Sequence, residues 1–375
     1  MSRWLSPLSL LVVTACDSTF DPPPPHEVAS QARAISVANT HTGLVTELAP
    51  NTVENVTVSG IPQPTDAEGN PLALMLPAGR DVAVGRIHAC MLSTTGSVHC
   101  WGDHSREALG AHRACLPPPA DQPKAEPNCV LGPLILPALP PARELAAGDD
   151  VTCAILEDAD RVVCWGERGD KLGGSVLPSL DPPTPVKLPD GTSLAADRLT
   201  IAHGSVCAIT HDRKLWCWGE RFGATPQLQP QTGVIDVALG RRHSCIIDDR
   251  GLACWGDNRN GQVGNITAAR KCRGDSPCVI ANPHPIDLDA TRVVVGERHT
   301  CALRRDGLVA CWGSNEVGQL GRDDAFLVGD LGYAIDGVVD LASGYAHVCA
   351  LRGDGGAWCW GSESVIDPSV SKENQ

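Results

Sequence analysis

Twelve cysteines fall into six couples, nine to eleven residues apart: Cys90 with Cys100, Cys153 with Cys164, Cys207 with Cys217, Cys245 with Cys254, Cys301 with Cys311, and Cys349 with Cys359. Thiols so placed can ligate a metal, cycle between thiol and disulfide, or lock a hairpin. Each couple ends in Cys-Trp-Gly, and six of the nine tryptophans lie in these triplets. Zinc has an argument, because His88, His243, His299 and His347 each stand two residues before a first cysteine and would make a third donor. Against it, Val151 and Ser205 hold that place in the other two copies, and the Cys-x-x-Cys knuckle of structural zinc is absent. Two more local couples, Cys115 with Cys129 and Cys272 with Cys278, bring sixteen of the seventeen cysteines within reach of a partner. Such a set reads as a disulfide framework in an exported chain. No metal or cofactor is expected.

The elements that would hold these couples follow from the loop between them. In CALRRDGLVAC a three-residue loop, Arg305-Asp306-Gly307, sets Leu303 opposite Val309 and Cys301 opposite Cys311 on two antiparallel strands. Gly307 then takes the left-handed position such a hairpin needs. Gly96 and Gly355 stand in the same place, whereas the third copy has Arg213. A longer loop around Asp158 and Ala159 absorbs the extra residue before Cys164. Cys245 and Cys254 fit least well, because Gly251 lies so near Cys254. Upstream of each hairpin an apolar run ends on glycine, as in DVALG and VVVG; downstream come glycine turns such as NRNGQVG and NEVGQLG. Short strands with turns at this period predict an all-β propeller of four-stranded blades.

The glycine, the histidine three residues on, the Trp-Gly and the Gly-Gln-x-Gly together resemble the regulator of chromosome condensation repeat, in its bacterial, cysteine-containing lipoprotein form. The resemblance covers about residues 70–361 in six copies. It implies a β-propeller, usually of seven blades, so the six copies leave a ring of six or seven, with seven preferred. Residues 35–48 alternate like strands and are either a degenerate blade or part of a lead-in segment at 31–69. How the ring closes is open, because only about fourteen residues follow the last Trp-Gly. The family's nuclear member is a nucleotide-exchange factor for a small GTPase. A secreted bacterial relative inhibits β-lactamase through loops on one face. Neither activity transfers residue by residue.

The remaining signals concern address and partners. Residues 1–15 read as a signal peptide ending in Val-Thr-Ala before Cys16, the residue a lipoprotein would acylate. Residues 16–30, with four consecutive prolines, read as an extended tether; the repeats fill 70–362, and 363–375 form a tail. A formal charge of −14 argues against nucleic acid and against anionic lipid surfaces, leaving the lipid anchor as the membrane contact. Two insertions break the repeat, one closed by Cys115 and Cys129, the other by Cys272 and Cys278. The second carries Arg270, Lys271, Arg273 and Asp275, with an Arg-Gly-Asp tripeptide that reads as a chance match in a polar turn. These loops are the expected contact sites for a protein partner. The sequence therefore reads as a monomeric, lipid-anchored binding module of the bacterial cell envelope, not an enzyme. A channel enzyme and a purely structural role stand as alternatives, and three or more polar side chains converging in the channel would favour the enzyme.

Overall fold

The apolar runs around each cysteine couple are continuous because both faces of every sheet are covered by other sheets. In the computed structural model, which describes residues 26–29, 32–38, 41–46, 55–58, 61, 76–104, 108–110, 129–136, 139–166, 183–265, 269, 278–322, 329–330 and 335–362, the chain is all β. Six sheets have four antiparallel strands. The first is built from Gly79–Val84, His88–Ser93, Val98–Asp103 and Val130–Ile135, in that order from the ring's centre outward. Blades 2 to 5 repeat this plan over residues 142–185, 198–232, 236–286 and 290–330. Second strands such as Val151–Leu156 and His243–Asp248 are buried at every residue.

The sixth blade supplies Val338–Ser343, His347–Arg352 and Ala357–Gly361 from the end of the repeats. Its outermost strand comes from the other end of the chain: His26–Ala29 pairs antiparallel with Ala357–Gly361, with His26 opposite Cys359. The ring closes this way, through four residues of the stretch read from sequence as a tether. A seventh, three-stranded sheet follows, made of Ala32–Ala38, His41–Thr46 and Asn55–Val58. Its first strand packs against the first strands of blades 6 and 1, so it occupies the seventh place in the ring.

The six hairpins pair the cysteines directly. Cys90 faces Cys100, Cys153 faces Cys164, Cys207 faces Cys217, Cys245 faces Cys254, Cys301 faces Cys311 and Cys349 faces Cys359. All six are disulfides with Cα atoms 4.1–4.2 Å apart. Gly96, Gly307 and Gly355 hold positive φ at the loops, and Arg213 adopts φ 58° in the third. The extra residue before Cys164 is taken up at Ala159 and Asp160, both left-handed. The nine-residue spacing closes through a two-residue loop, Asp249-Arg250, with Asp248 opposite Gly251 at φ 112°. Cys129 and Cys278 are also disulfide-bonded. Cys115 and Cys272 lie outside the described residues.

The tryptophan that follows each couple now has a physical reason. Neighbours along a strand point to opposite faces, so each blade carries its disulfide on one face and its tryptophan on the other. The disulfide of blade 1 shares a core with Trp165 of blade 2, that of blade 2 with Trp218 of blade 3, and that of blade 4 with Trp312 of blade 5. Trp360 of blade 6 packs likewise with Cys301 and Cys311. Five of the six triplet tryptophans are at most 1% exposed: Trp101, Trp165, Trp218, Trp312 and Trp360.

Candidate functional site

The repeated histidines His88, His243 and His299 are joints between blades. His88 Nε2 lies 2.7 Å from Thr152 Oγ1 of the next blade, and His299 Nε2 lies 3.0 Å from Ser343 Oγ. His243 Nε2 lies 2.8 Å from Thr300 Oγ1, whose own proton goes to the carbonyl of Gln262 at 2.8 Å. Thr300 therefore accepts, and the Nε2 of His243 carries the hydrogen. Trp312 Nε1 donates to the same carbonyl at 2.9 Å, and Trp360 Nε1 donates to Gln319 O at 3.1 Å. The Gly-Gln-x-Gly turn of one blade is thus the dock for the next. Where the third copy has Ser205 in place of histidine, Arg221 reaches forward instead, its Nη2 donating to Ser244 Oγ at 3.2 Å. Gly296 is glycine because an added Cβ would lie 2.1 Å from the His299 ring. With the thiols consumed in disulfides, the His-x-Cys pattern offers no zinc site.

Burial holds these imidazoles neutral, with pKa values of about 4 for His88 and about 3 for His243 and His299. Unfolded histidine titrates near 6.5, so below that pH the unfolded chain binds more protons than the native one. The stability these groups contribute is complete above pH 6.5 and is lost as pH falls towards 4 and then 3. Channel carboxyls with raised pKa values act in the opposite direction, so the informative measurement is a difference. A His243→Gln variant should show a shallower fall of melting temperature between pH 7 and pH 4 than the parent. Parallel curves would show that His243 does not titrate on unfolding.

A second, unforeseen set of side chains meets in the centre. The first strands surround a channel of about 440 Å³. One belt of its lining comes from the residue nine places before each first cysteine: Asp81, Glu144, Arg198, Asp236, Arg292 and Asp340. Backbone register puts Ala34 of blade 7 at the equivalent station. Arg292 pairs with Asp340, Nε to Oδ1 2.8 Å, and with Asp236 at 3.7 Å; Arg198 also approaches Asp236 at 3.5 Å. Asp236 Oδ2 accepts from Val293 N at 2.9 Å, and Glu144 Oε1 from Leu199 N at 2.7 Å. Burial raises the carboxyls of Asp236 and Glu144 above the usual range. Burial, with Glu144 and Asp340 nearby, pushes Asp81 up to about 7.

A second belt lies five residues further along: Asp149, His203, Glu297 and Tyr345 line the channel there. Glu297 is 4% exposed and accepts from Arg242 Nε at 3.0 Å through Oε1. Burial depresses His203 against the pull of Asp149 and Glu297. The channel does bring polar groups together, the arrangement that on sequence grounds favours a reaction site. Ser343 of its lining contacts His299, but that pair is the interblade joint, and an imidazole with a pKa of about 3 is a poor base near neutrality. What the belts can do chemically is hold charge.

Sequence reasoning missed this belt although a signal was present. Aligning the copies on their first cysteine puts a charge nine residues upstream in all six, inside otherwise apolar strands. The sequence-nominated insertion residues Arg270, Lys271, Arg273 and Asp275, and the lipidation candidate Cys16, lie outside the described residues. Among the described residues no group of three or more histidine, cysteine or carboxylate side chains is placed to hold a metal.

Seven sheets set radially around a channel, with disulfide and tryptophan alternating between faces, define a β-propeller with six complete blades and one of three strands. Its repeats are those of the regulator of chromosome condensation (RCC1) family, whose model matches residues 80–106, 234–262, 290–319 and 338–365, and in a second form 253–303. The chain is 29% identical over 280 residues to Protein pim1 of Schizosaccharomyces pombe, covering 65% of this chain and 48% of pim1. It is 29% identical over 273 residues to the human probable E3 ubiquitin-protein ligase HERC6, covering 68% of this chain and 25% of that protein. The chain thus spans about half the length of the first relative and a quarter of the second. Among solved structures it is similar to human WBSCR16, with TM-score 0.66, 18% identity, and coverage of 90% and 88% of the two chains. It is also similar to yeast RCC1 (Prp20) bound to Kap60, with TM-score 0.60, 21% identity, and coverage of 76% and 70%.

Proposed function

We propose that this RCC1-type propeller, a member of a family of protein-interaction modules, works outside the cytoplasm. In this reading it is a lipid-anchored protein of a bacterial envelope that holds a protein partner through loops on one face. The observation that carries the reading is the set of six blade disulfides. Disulfides at this density persist where the compartment is oxidising, which requires export. The apolar segment ending before Cys16 supplies an export signal and an acylation site in one stretch. Relatives support a partner-binding role in kind, since yeast RCC1 was solved bound to Kap60. The partner here is a different one, met by the two cysteine-closed insertions. Their prolines and disulfides reduce the entropy lost on binding.

One experiment tests both halves. Cys16→Ser is expected to release the protein from membranes or leave it as an unprocessed precursor. The same fractions are probed with chains whose insertions, residues 116–128 and 273–277, are replaced by Gly-Ser linkers. Loss of captured partner with retained melting temperature supports the loop reading. Unchanged membrane fractionation of Cys16→Ser removes the anchor, and unchanged capture moves the binding surface onto the blades.

A further inference from the structure

Blade 3 departs from the plan that seals the other joints. Its third and fourth strands are joined by three residues, 220–222, with Phe222 N donating to Gly219 O at 3.1 Å. In blades 1, 2, 4 and 5 the same connection runs from 103 to 130, 166 to 184, 257 to 279 and 313 to 329. In blades 1, 4 and 5 it carries the turn that covers the next tryptophan. A Cβ on Gly110 of blade 1 would lie 2.6 Å from the Trp165 ring, and one on Gly264 of blade 4 would lie 3.6 Å from Trp312 Nε1. A Cβ on Gly223 of blade 3 would meet no atom. Trp255 and Gly256 of blade 4 are accordingly part-exposed, whereas the other five Trp-Gly pairs are buried.

The uncovered pair of donors is otherwise complete. Ser244 and Trp255 are cross-strand neighbours in blade 4, as Thr300 and Trp312 are in blade 5. Thr300 Oγ1 and Trp312 Nε1 both donate to the carbonyl of Gln262. Ser244 is 2% exposed and its Oγ accepts from Arg221. Among the described residues neither the Ser244 proton nor the indole N–H of Trp255 meets an acceptor. Unmet donors at a part-buried site are costly. Two guanidiniums border this notch. Among the described residues neither Arg221 nor Arg241 has a carboxylate partner, although most other arginines do. Both lie near enough to His203, in the channel wall, to oppose its protonation.

We propose that the notch between blades 3 and 4 receives an acidic turn of a protein partner. A backbone carbonyl of that turn accepts from Trp255 and Ser244, and a carboxylate beside it meets Arg221 and Arg241. The molecule's own joints define the carbonyl, since a Gly-Gln-x-Gly turn meets the equivalent donors in blade 5. Charge defines the carboxylate: the two unpaired groups at the rim are both cationic, on a protein of formal charge −14. The inference rests on the reading of the chain as a holder of a protein partner, but not on its insertions.

The chain supplies its own probes. One cyclic peptide carries the acidic turn of blade 5, Asn-Glu-Val-Gly-Gln-Leu-Gly (315–321), and another the basic turn of blade 4, Asn-Arg-Asn-Gly-Gln-Val-Gly (258–264). Each is titrated into the intact protein labelled with nitrogen-15. The signal followed is the indole N–H of Trp255, assigned by its loss in Trp255→Phe. The acidic peptide is expected to move that signal downfield to saturation and to bind more tightly than the basic one. Adsorption to a strongly negative protein would give the opposite order. Arg241→Glu, at an exposed residue, should weaken the acidic peptide about fivefold or more and remove its advantage. Replacing residues 220–222 by the blade 4 turn should fill the notch from within and abolish peptide binding. Equal or stronger binding of the basic peptide, an unmoved Trp255 signal, undiminished binding by either variant, or displacement by equimolar sodium phosphate refutes the proposal. Partner capture lost with the insertions but untouched by Arg241→Glu refutes this site and leaves the face-loop reading standing. Capture lost in Arg241→Glu but kept without the insertions does the reverse.

Discussion

Reducing the six blade disulfides is expected to collapse the propeller at room temperature. Each bond closes a loop of about ten residues, worth roughly 2.5–3 kcal/mol in the chain-entropy treatment. Six such loops sum to about 15–18 kcal/mol, as large as the whole stability of a typical domain. The sulfurs are sealed in: Cys90, Cys100, Cys153, Cys207, Cys245, Cys254, Cys301, Cys311 and Cys349 are wholly buried. Reductant alone should therefore act slowly on the native protein and quickly once a little urea opens it. Far-ultraviolet circular dichroism and thiol titration, followed together, should lose structure as they gain thiols. A fully reduced protein that kept its melting temperature would show that blade packing suffices. Replacing only Cys301 and Cys311 by alanine should cost about 2–4 kcal/mol and leave the ring closed.

The second large effect is expected at the seam. Removing residues 26–29 takes the outer strand from blade 6 and exposes the edge of Ala357–Gly361. An uncovered edge presents a row of unpaired amides and carbonyls, and other chains pair with it. A chain beginning at residue 31 should melt at least several degrees lower and form dimers or larger species on size-exclusion chromatography. A synthetic peptide spanning residues 24–30, added in excess, should reverse both changes. A monomeric truncated chain with unaltered melting would mean that the contacts of blade 7 with blades 6 and 1 hold the ring without the strand.

These two regions also divide what the sequence discloses from what it hides. Hairpin register was legible because turn chemistry and cysteine spacing act within a dozen residues: Gly307 fixes the loop, and the loop sets Cys301 opposite Cys311. Even the awkward nine-residue spacing followed a local rule, a shorter turn relieved by Gly251. The seam was not legible. His-Glu-Val-Ala has no pattern of its own, and it becomes a strand only because an edge more than 300 residues away needs one. The channel belt was legible in part, since its charges recur at one offset. Their significance appears only when the ring brings six distant strands around one space, and no local signal tells which carboxylates find an arginine there.

The alternation of disulfide and tryptophan faces gives the ring a direction. Contacts between blades are head to tail, each pair unlike within itself, and the disulfide–tryptophan cores of blades 1–2, 2–3, 4–5 and 5–6 are built alike. Among separate subunits, contacts of this type either close into a ring or run on as an open fibre, depending only on the rotation per step. Here the steps are linked in one chain, so a blade could be gained or lost between the like joints without offending them. Gln262 would dock the next tryptophan as well in an eight-membered array as in this one. What counts the blades is the angle of each step and the strand borrowed from the other end of the chain. A lineage that duplicated one repeat would keep every joint and would have to relearn only the circle.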